Sequence, residues 1–167
     1  MRVYCDGAAS DNGNKNKRIG GWAYVVVSNE GEIAHSDSGA RFGMTNNWGE
    51  LVGMIKGCEK ALELSGGKEN IMVLSDSAYC INCYKQGWWR AWVSNDWVNS
   101  KKEPVANKEL WRQLIPFFEN PLFSFVKVKG HNGNDTADAY WNDIVDKMAV
   151  NARLSLGSVK NVENSDN

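Results

Sequence analysis

Hydrophobic and polar residues alternate near the start of the chain, and this two-residue period predicts β-strands. Met1 to Ala8 is the first predicted strand, and Trp22 to Ser28, rich in β-branched and aromatic residues, is the second. Glu32 to Phe42 is the third. The segment from Ser10 to Gly21 is rich in Asn, Gly and Lys and is predicted to be a loop. We expect the three strands to form an antiparallel meander.

A helical period follows the third strand, because apolar residues recur at Leu51, Ile55, Cys58 and Leu62. This spacing predicts a helix over Asn46 to Leu64, which Gly66 ends. The remaining predicted elements are a strand at Ile71 to Leu74, helices at Ala78 to Tyr84 and Asn107 to Phe118, a strand at Leu122 to Val128, and a last helix marked by Trp141, Val145, Met148 and Ala152. The order predicts an α/β fold with one mixed sheet and helices on both faces.

The bulk properties indicate one globular domain. The chain has 167 residues and a net charge of −1, and no apolar run is long enough to span a membrane. We predict a domain over residues 1–153 and a polar, disordered tail over residues 154–167, because periodicity is lost from Leu154. The N-terminus enters a strand directly, so no signal peptide is expected and the protein is predicted to be cytoplasmic. A monomer is expected.

Four acidic residues stand in local sequences that suggest one shared site: Asp6, Glu50, Asp76 and Asp146. Asp6 and Asp76 end predicted strands, where sites gather in α/β sheets. The other two lie in helical patterns. Like charges brought together repel and raise one another's pKa, and hard divalent cations such as Mg²⁺ relieve that cost. The set is typical of a two-metal site for phosphoryl transfer.

Two of these acids have simpler explanations. Asn47-x-x-Glu50 has the spacing of a helix capping box, in which the glutamate bonds the start of its own helix, and composition alone slightly favours this reading. Asp146 and Asn142 share one flank of the last helix, beside its apolar face, whereas Asp143 points further out. On pattern alone, an ordinary solvated acid explains Asp146 equally well.

The segment from Gln86 to Trp111 combines aromatic with basic residues. Lys85 to Arg112 contains six cations and three acids, a net charge of +3. The residues that we assign to substrate binding here are Trp88, Trp89, Arg90, Trp92, Trp97, Lys101 and Lys102. Cations interleaved with aromatic rings suit a nucleic-acid surface, although a packed aromatic cluster with solvated lysines gives the same pattern. We expect some tryptophans to pack and the cations to face outward.

Two further motifs have ordinary explanations. Cys80 and Cys83 form a single C-x-x-C, which is weak support for zinc, and we expect both to act as small apolar residues one helical turn apart. His131 follows the last predicted strand in a loop of Gly and Asn. Such a histidine is exposed and suited to carry protons near neutral pH, but a plain loop histidine has the same surroundings.

Taken together, these residues resemble type 1 ribonuclease H over roughly Met1 to Ala149. The most specific matches are Asp6-Gly7, Thr45-Asn46-Asn47 with Glu50-Leu51, Ser75-Asp76-Ser77, Val128-Lys129-Gly130-His131, and Asn142 through Ala149. The resemblance implies a ribonuclease H-like fold, with a five-stranded sheet of three antiparallel strands followed by two parallel ones. It implies an endonuclease that hydrolyses the RNA strand of RNA–DNA hybrids, giving 5′-phosphate and 3′-hydroxyl ends.

The resemblance also implies residue roles. Two Mg²⁺ ions, or Mn²⁺ in their place, would be held by Asp6, Glu50, Asp76 and Asp146, which overturns the capping-box reading. His131 takes the place of a mobile-loop catalytic histidine. Asn46 and Asn47 fall where members of the family contact the hybrid in its minor groove. The basic, tryptophan-rich segment matches the protruding handle of bacterial members.

The sequence also departs from the family pattern. Ala78 stands where many members have a glutamine that contacts RNA, and Trp48 where arginine is common. The stretch from His131 to Asp146 is several residues longer than usual, which leaves Asn142 or Asp143 as alternatives for the fourth acidic position. Two other functions stay open. Another nuclease or recombinase could share the fold, and a non-catalytic hybrid-binding module would not need all four acids.

Overall fold

The computed structural model describes residues 1–10, 16–128 and 136–165, with the backbone alone for Thr136 and residues 160–165. Its strands are β1 (Arg2–Ser10), β2 (Ile19–Val27), β3 (Ile33–Phe42), β4 (Ile71–Ser75) and β5 (Phe123–Lys127). Its helices are α1 (Asn46–Ser65), α2 (Ala78–Gln86), α3 (Trp88–Ser94), α4 (Lys108–Glu119) and α5 (Thr136–Ser165).

The five strands form one mixed sheet in the order β3-β2-β1-β4-β5. The pairs β1–β2 and β2–β3 are antiparallel, and the pairs β1–β4 and β4–β5 are parallel. The predicted meander is therefore confirmed, and so is the mixed sheet. Because β1 and β4 are parallel neighbours, both strands deliver their last residues to the same end of the sheet.

Side chains alternate across the sheet, so each face has its own core. On β1, Val3 and Cys5 pack into the core that also contains Leu51 of α1. Tyr4 and Ala8 pack into the smaller core with Val145 of α5. Helices on both faces were predicted, and this arrangement confirms them. Within the described residues, none of the helices combines the length and the apolarity that crossing a bilayer requires.

Two features of the first four strands and helices differ from the predictions. The meander loop is shorter, because Ser10 pairs with Ile19 and the strands continue past Ala8. Helix α3 was not predicted, since seven residues are too few to show a clear period. A residue in the left-handed conformation, Gly87, separates it from α2.

The prediction of an irregular chain from Leu154 onward was wrong for residues 154–165, because α5 continues through Ser165. The only strong helix breaker in this stretch is Gly157, which costs about 1 kcal/mol relative to alanine. Its backbone lies against Ile19, since a Cβ added at Gly157 would be 3.3 Å from Ile19 Cδ1. The division of the chain at residue 153 stays a prediction.

Helix α5 also begins earlier than the apolar pattern indicated. Asp138, in its first turn, forms an ion pair of 3.1 Å with Arg2 Nη1 and accepts a hydrogen bond from the Tyr4 hydroxyl. Burial, followed by the bond to Asp138, raises the pKa of Tyr4 to about 12. These contacts join the start of α5 to the start of β1, so the two elements run side by side toward the same end of the sheet.

Candidate active site

Asp6 lies in the middle of the central strand β1, two residues beyond Tyr4, the last residue of β1 that pairs with β4. Its side chain is buried, with 3% of its surface exposed. The backbone N–H of Gly7 donates to Asp6 Oδ1 over 2.9 Å. A carboxylate at this depth is rare without a partner, so its burial needs an explanation from its neighbours.

Glu50 reaches Asp6 from α1, because a different residue caps that helix. Thr45 is the N-cap, and its Oγ1 accepts a hydrogen bond of 3.1 Å from the backbone N–H of Trp48. The capping-box alternative built on Asn47 is therefore wrong, since α1 begins two residues earlier. Glu50 instead lies in the second turn, 5% exposed, with its carboxyl group hydrogen-bonded to that of Asp6.

A row of glycines on α1 brings Glu50 this close to the sheet. A Cβ added at Gly49 would lie 2.1 Å from Gly21 O, one at Gly53 would lie 2.8 Å from Ala23 O, and one at Gly57 would lie 2.6 Å from Val3 Cγ1. The helix backbone therefore touches β1 and β2 directly. The signal was present in the sequence as three glycines at a spacing of four, and the sequence analysis missed it.

Asp76 follows β4 at a corner held by two serines. The backbone N–H of Ser77 donates to Ser75 Oγ over 3.0 Å, and that of Cys80 donates to Ser77 Oγ over 3.1 Å at the start of α2. These bonds fix the backbone on both sides of Asp76. Carboxylate oxygens of Asp6, Glu50 and Asp76 all lie within 4.8 Å of one another.

Asp146 of α5 lines the same cleft, which we call the acidic cleft. It has a volume of about 440 Å³ and is lined by Asp6, Gly7, Asn46, Asn47, Glu50, Asp76, Ser77, Ala78, Tyr79 and Asp146. The charge of Asp146 contributes to the raised pKa of Asp6. Neither of its two alternatives lines the cleft, and Asn142 is 6% exposed. The structure thus brings Asp146 to the three other acids.

The electrostatics of the acidic cleft favour a bound cation. Burial, and then the charge of Asp76, raise the pKa of Asp6 to about 8. Burial, and then the charge of Asp6, raise the pKa of Glu50 well above its usual value. Among the described residues, Glu50 Oε2 is a buried acceptor without a hydrogen-bond partner. A hard divalent cation fits this donor set, since it would satisfy that oxygen and offset the repulsion.

Tyr79 is a cleft residue that the sequence analysis missed. Its hydroxyl accepts a hydrogen bond of 3.1 Å from Trp111 Nε1, and the two rings meet edge to face with centroids 5.2 Å apart. The ring centroid of Trp111 in turn lies 5.3 Å from that of Trp92 of α3. An aromatic contact therefore joins the acidic cleft to the tryptophan-rich segment.

We define the handle as residues 88–105, which comprise α3 and the loop after it. Lys101 and Lys102 are exposed, as are Arg90 and Trp88. The loop is closed by an isolated bridge between Val98 and Pro104. The expectation that cations face outward and some tryptophans pack is confirmed for these residues.

The tryptophans of the handle differ in burial. Trp88 is 39% exposed, whereas Trp89 is 8% exposed, and the centroid of its ring lies 6.2 Å from that of Phe118. Trp92 and Trp97 are half-buried, with centroids 6.3 Å apart. The ring of Trp89 is largely enclosed by the core, and its assignment to substrate binding stays a prediction. The guanidinium carbon of Arg90 lies 5.0 Å from the centroid of this ring.

Three other predicted sets of residues remain, namely the cysteines, His131 and the two asparagines of α1. All four cysteines are buried and free, which confirms the apolar reading of Cys80 and Cys83. His131 lies outside the described residues. Asn46 and Asn47, at the start of α1, line the acidic cleft, and their contact with substrate stays a prediction.

The fold and site together define an α/β protein with a carboxylate cluster, suited to divalent cations, at one end of a mixed sheet. The chain belongs to the RNase H family, whose model matches residues 1–153. It is accordingly a ribonuclease H, an enzyme that hydrolyses the RNA strand of RNA–DNA hybrids. Enzymes of the family depend on divalent metal ions.

Known relatives match along nearly the whole chain. The ribonuclease H of Syntrophomonas wolfei subsp. wolfei is 42% identical over 155 residues, covering 93% of this chain and 97% of that protein. The ribonuclease H of Clostridium botulinum (strain Hall) is 38% identical over 150 residues, covering 90% of this chain and 93% of that protein.

Solved structures support the fold. A foamy viral protease-reverse transcriptase in complex with an RNA/DNA hybrid matches with a TM-score of 0.77 and 20% identity, covering 92% of this chain and 20% of that chain. LC9-RNase H1, a type 1 RNase H with the type 2 active-site motif, matches with a TM-score of 0.70 and 21% identity, covering 92% of this chain and 72% of that chain. The predicted ribonuclease H-like fold is confirmed.

Proposed function

We propose that the acidic cleft is the catalytic centre and that the handle holds the RNA–DNA hybrid across it. Asp6, Glu50, Asp76 and Asp146 would hold two divalent cations, with Mg²⁺ preferred and Mn²⁺ able to replace it. The observation that carries this proposal is the convergence of three carboxylates within 4.8 Å, with a buried Glu50 oxygen that lacks a partner among the described residues. Such a cluster is costly without cations.

When bound, the two cations lower the pKa of an attacking water and stabilise the leaving 3′ oxygen of the RNA. The protein's own contribution is to position them. Asp6 interacts with each of the other three acids, so it would hold the cations together with them. Asp76 and Asp146 are exposed at the rim of the cleft, where solvent and substrate enter. His131 acts as a proton carrier that assists departure of the product. The hydrolysis gives 5′-phosphate and 3′-hydroxyl ends.

Recognition of the hybrid is divided between two surfaces. Asn46 and Asn47 lie beside Glu50 at the start of α1, so their amides can contact the minor groove, where the RNA strand displays its 2′-hydroxyls. Trp88, Arg90, Lys101 and Lys102 expose an aromatic face and cations on the handle. These contacts would give affinity without sequence preference. The half-buried Trp92 and Trp97 support that surface. We propose a monomer that acts in the cytoplasm.

The test is cleavage of an end-labelled 20-base-pair hybrid beside matched double-stranded RNA and double-stranded DNA. With Mg²⁺, we expect cleavage of the RNA strand of the hybrid alone. With chelator, we expect binding without cleavage. Equal cleavage of all three duplexes would instead favour a nuclease of the same fold with another substrate. Tight binding without any cleavage in Mg²⁺ or Mn²⁺ would favour a non-catalytic module and overturn the proposal.

A further inference from the structure

Two described segments outside the handle carry only positive charge, although the whole chain has a net charge of −1. Residues 16–29 contain Lys17 and Arg18 and no acid. Residues 147–159 contain Lys147 and Arg153 and no acid. Neither segment belongs to the acidic cleft or the handle, so this excess of charge has no role in the function proposed above.

The fold packs these two segments against each other. A Cβ added at Gly21 would lie 2.4 Å from Ala149 O and 3.3 Å from Arg153 Cβ, so this turn of α5 rests directly on β2. One turn further on, Gly157 rests on Ile19. Arg153 therefore lies next to the residues that begin β2, and Lys17 and Arg18 immediately precede them. We call Lys17, Arg18 and Arg153 the α5 basic surface.

The α5 basic surface adjoins the acidic cleft on the side opposite the handle. Asp146 lines the cleft, and Arg153 follows it by seven residues, which places it on the same side of α5 about 10 Å further along. Gly21 pairs with Ala8, two residues beyond Asp6 on β1. The handle packs through Trp89 into the core on the α1 face of the sheet, whereas α5 covers the other face. A duplex lying across the cleft can therefore meet cations on both sides.

The chemistry of Arg153 suits a phosphate. Within the described part of the chain, its buried Nε has no hydrogen-bond partner and no acid forms an ion pair with it. A buried donor without an acceptor is costly, and a guanidinium matches a phosphate with two parallel hydrogen bonds. Arg18 Nε donates a hydrogen bond of 2.7 Å to Gly43 O, and this bond ties the segment before β2 to the end of β3. Lys17 is exposed.

We propose that the α5 basic surface is a second phosphodiester-binding site, which holds the hybrid about three nucleotides from the bond that is cleaved. The spacing follows from about 10 Å along α5 and about 3.4 Å of rise per nucleotide. The site rests on the proposed function, because it takes the same hybrid that the acidic cleft cleaves. It gives the hybrid two supports, one on each side of the cleft, and so sets which phosphate reaches the carboxylates.

The test compares Lys17→Gln/Arg153→Gln with Lys60→Gln/Arg112→Gln. Both double variants remove two charges. In the control they are taken from surface pairs with Glu63 and Glu109 on α1 and α4. Binding to a 20-base-pair hybrid is measured in chelator over a series of salt concentrations, so that the substrate stays intact. We expect the first variant to lower the slope of log K against log salt by about two and the control to leave it unchanged. Arg153→Lys, which keeps the charge, should retain most of the slope.

A second measurement locates the contact. A single uncharged methylphosphonate linkage is moved one position at a time along each strand of the hybrid. For the wild type, we expect affinity to fall at linkages about two to four nucleotides from the cleavage position on one side. For Lys17→Gln/Arg153→Gln, a methylphosphonate at those linkages should no longer lower the affinity, whereas the effect at all other linkages should stay as in the wild type. Thermal unfolding of each variant shows whether it is folded, and the Arg153→Lys comparison remains informative if the glutamine variant is not.

Two results would overturn the proposal. Equal salt slopes for the two double variants would show that the α5 cations do not meet phosphates. A methylphosphonate profile that is the same in wild type and variant would do so as well. Either result, obtained while the wild type still cleaves the hybrid, removes the second site and leaves the proposed function intact. Failure of the wild type to cleave any hybrid would instead remove the function on which the site depends.

Discussion

The acidic cleft and the handle carry opposite charge, and the fold builds them by opposite means. In the cleft, Asp6 and Glu50 are almost fully buried, and their positions follow from backbone contact between α1 and the sheet. In the handle, Lys101 and Lys102 are exposed on a loop. Three non-glycine residues of that loop, Asp96, Trp97 and Lys102, have φ between 54° and 62°, a conformation that disfavours ordinary side chains.

This difference matches what each region has to do. Cations that act on one phosphodiester bond require carboxylates held to a fraction of an ångström, and only a packed backbone supplies that precision. Phosphates along a duplex are spaced regularly, so a handle can bind them with long, flexible cations and no fixed geometry. The cleft therefore costs stability through buried like charges. The handle costs stability through strained backbone, at about 1 kcal/mol or more for each such residue.

The largest expected effect comes from removing one charge of the cleft. Asp6→Asn keeps the shape of the side chain but loses the charge that holds cations, so cleavage should fall by about 10³-fold or more. Binding of the hybrid in chelator should be largely unchanged, because the handle is intact. Single-turnover cleavage and fluorescence anisotropy measure the two quantities. Turnover near that of the wild type, at equal folding, would contradict the two-metal assignment.

The fourth acid gives the next largest effect. We expect Asp146→Ala to lower kcat/KM by about 10²-fold, because Asp146 lines the cleft. Asp143→Ala should stay within about twofold of wild type, since it does not line the cleft. His131→Ala should be milder than Asp146→Ala, because water can partly replace a proton carrier. An inactive Asp143→Ala beside an active Asp146→Ala would reverse the assignment.

The handle should contribute to binding rather than to chemistry. Replacing Lys101 and Lys102 together with alanine should lower the slope of log K against log salt by about two, with a smaller change in kcat at saturating hybrid. Steady-state kinetics at several salt concentrations separates KM from kcat. An unchanged salt slope would mean that these lysines do not face the hybrid and that the handle does not bind phosphates through them.

The packing of α1 can be tested at a single atom. Gly49→Ala adds a Cβ that would lie 2.1 Å from Gly21 O, so α1 must move away from the sheet. We expect a loss of about 1–3 kcal/mol of stability and a drop of about 3–8 °C in Tm. The exposed Glu59→Ala on the same helix is the control. A variant as stable as the control would show that the glycine contact does not position Glu50.

The pH dependence of stability without metal tests the electrostatics of the cleft. Because the pKa of Asp6 is about 8 when folded and near 3.8 when unfolded, the folded state binds more protons between those values. The stability that protonated Asp6 contributes is full below about pH 4 and is lost as the pH rises through about 8. In chelator, Tm of the wild type should therefore fall from pH 5 to pH 8 more steeply than that of Asp6→Asn. Parallel curves would contradict the raised pKa.

Much of the site could be predicted from the sequence because its signals are local. Asp6 and Asp76 each end an apolar run, and parallel strands end on the same side of a sheet, so their proximity follows from topology. The cations of the handle are also visible locally, since a surface lysine needs no partner to face water. The match of the acidic motifs to a known family supplied the assignment of Glu50 that spacing alone did not favour.

The sequence by itself thus determined the order of the elements, the class of chemistry and the acids that end apolar runs, because these depend on periodicity and on residue type. The tertiary structure alone decided which neighbours those residues have. Glu50 meets Asp6 because glycines let α1 touch the sheet, and Trp89 is enclosed while Trp88 is exposed. Arg153 comes to lie beside the start of β2 from more than 130 positions away along the chain. Such contacts arise from packing between distant elements, and no local pattern records them.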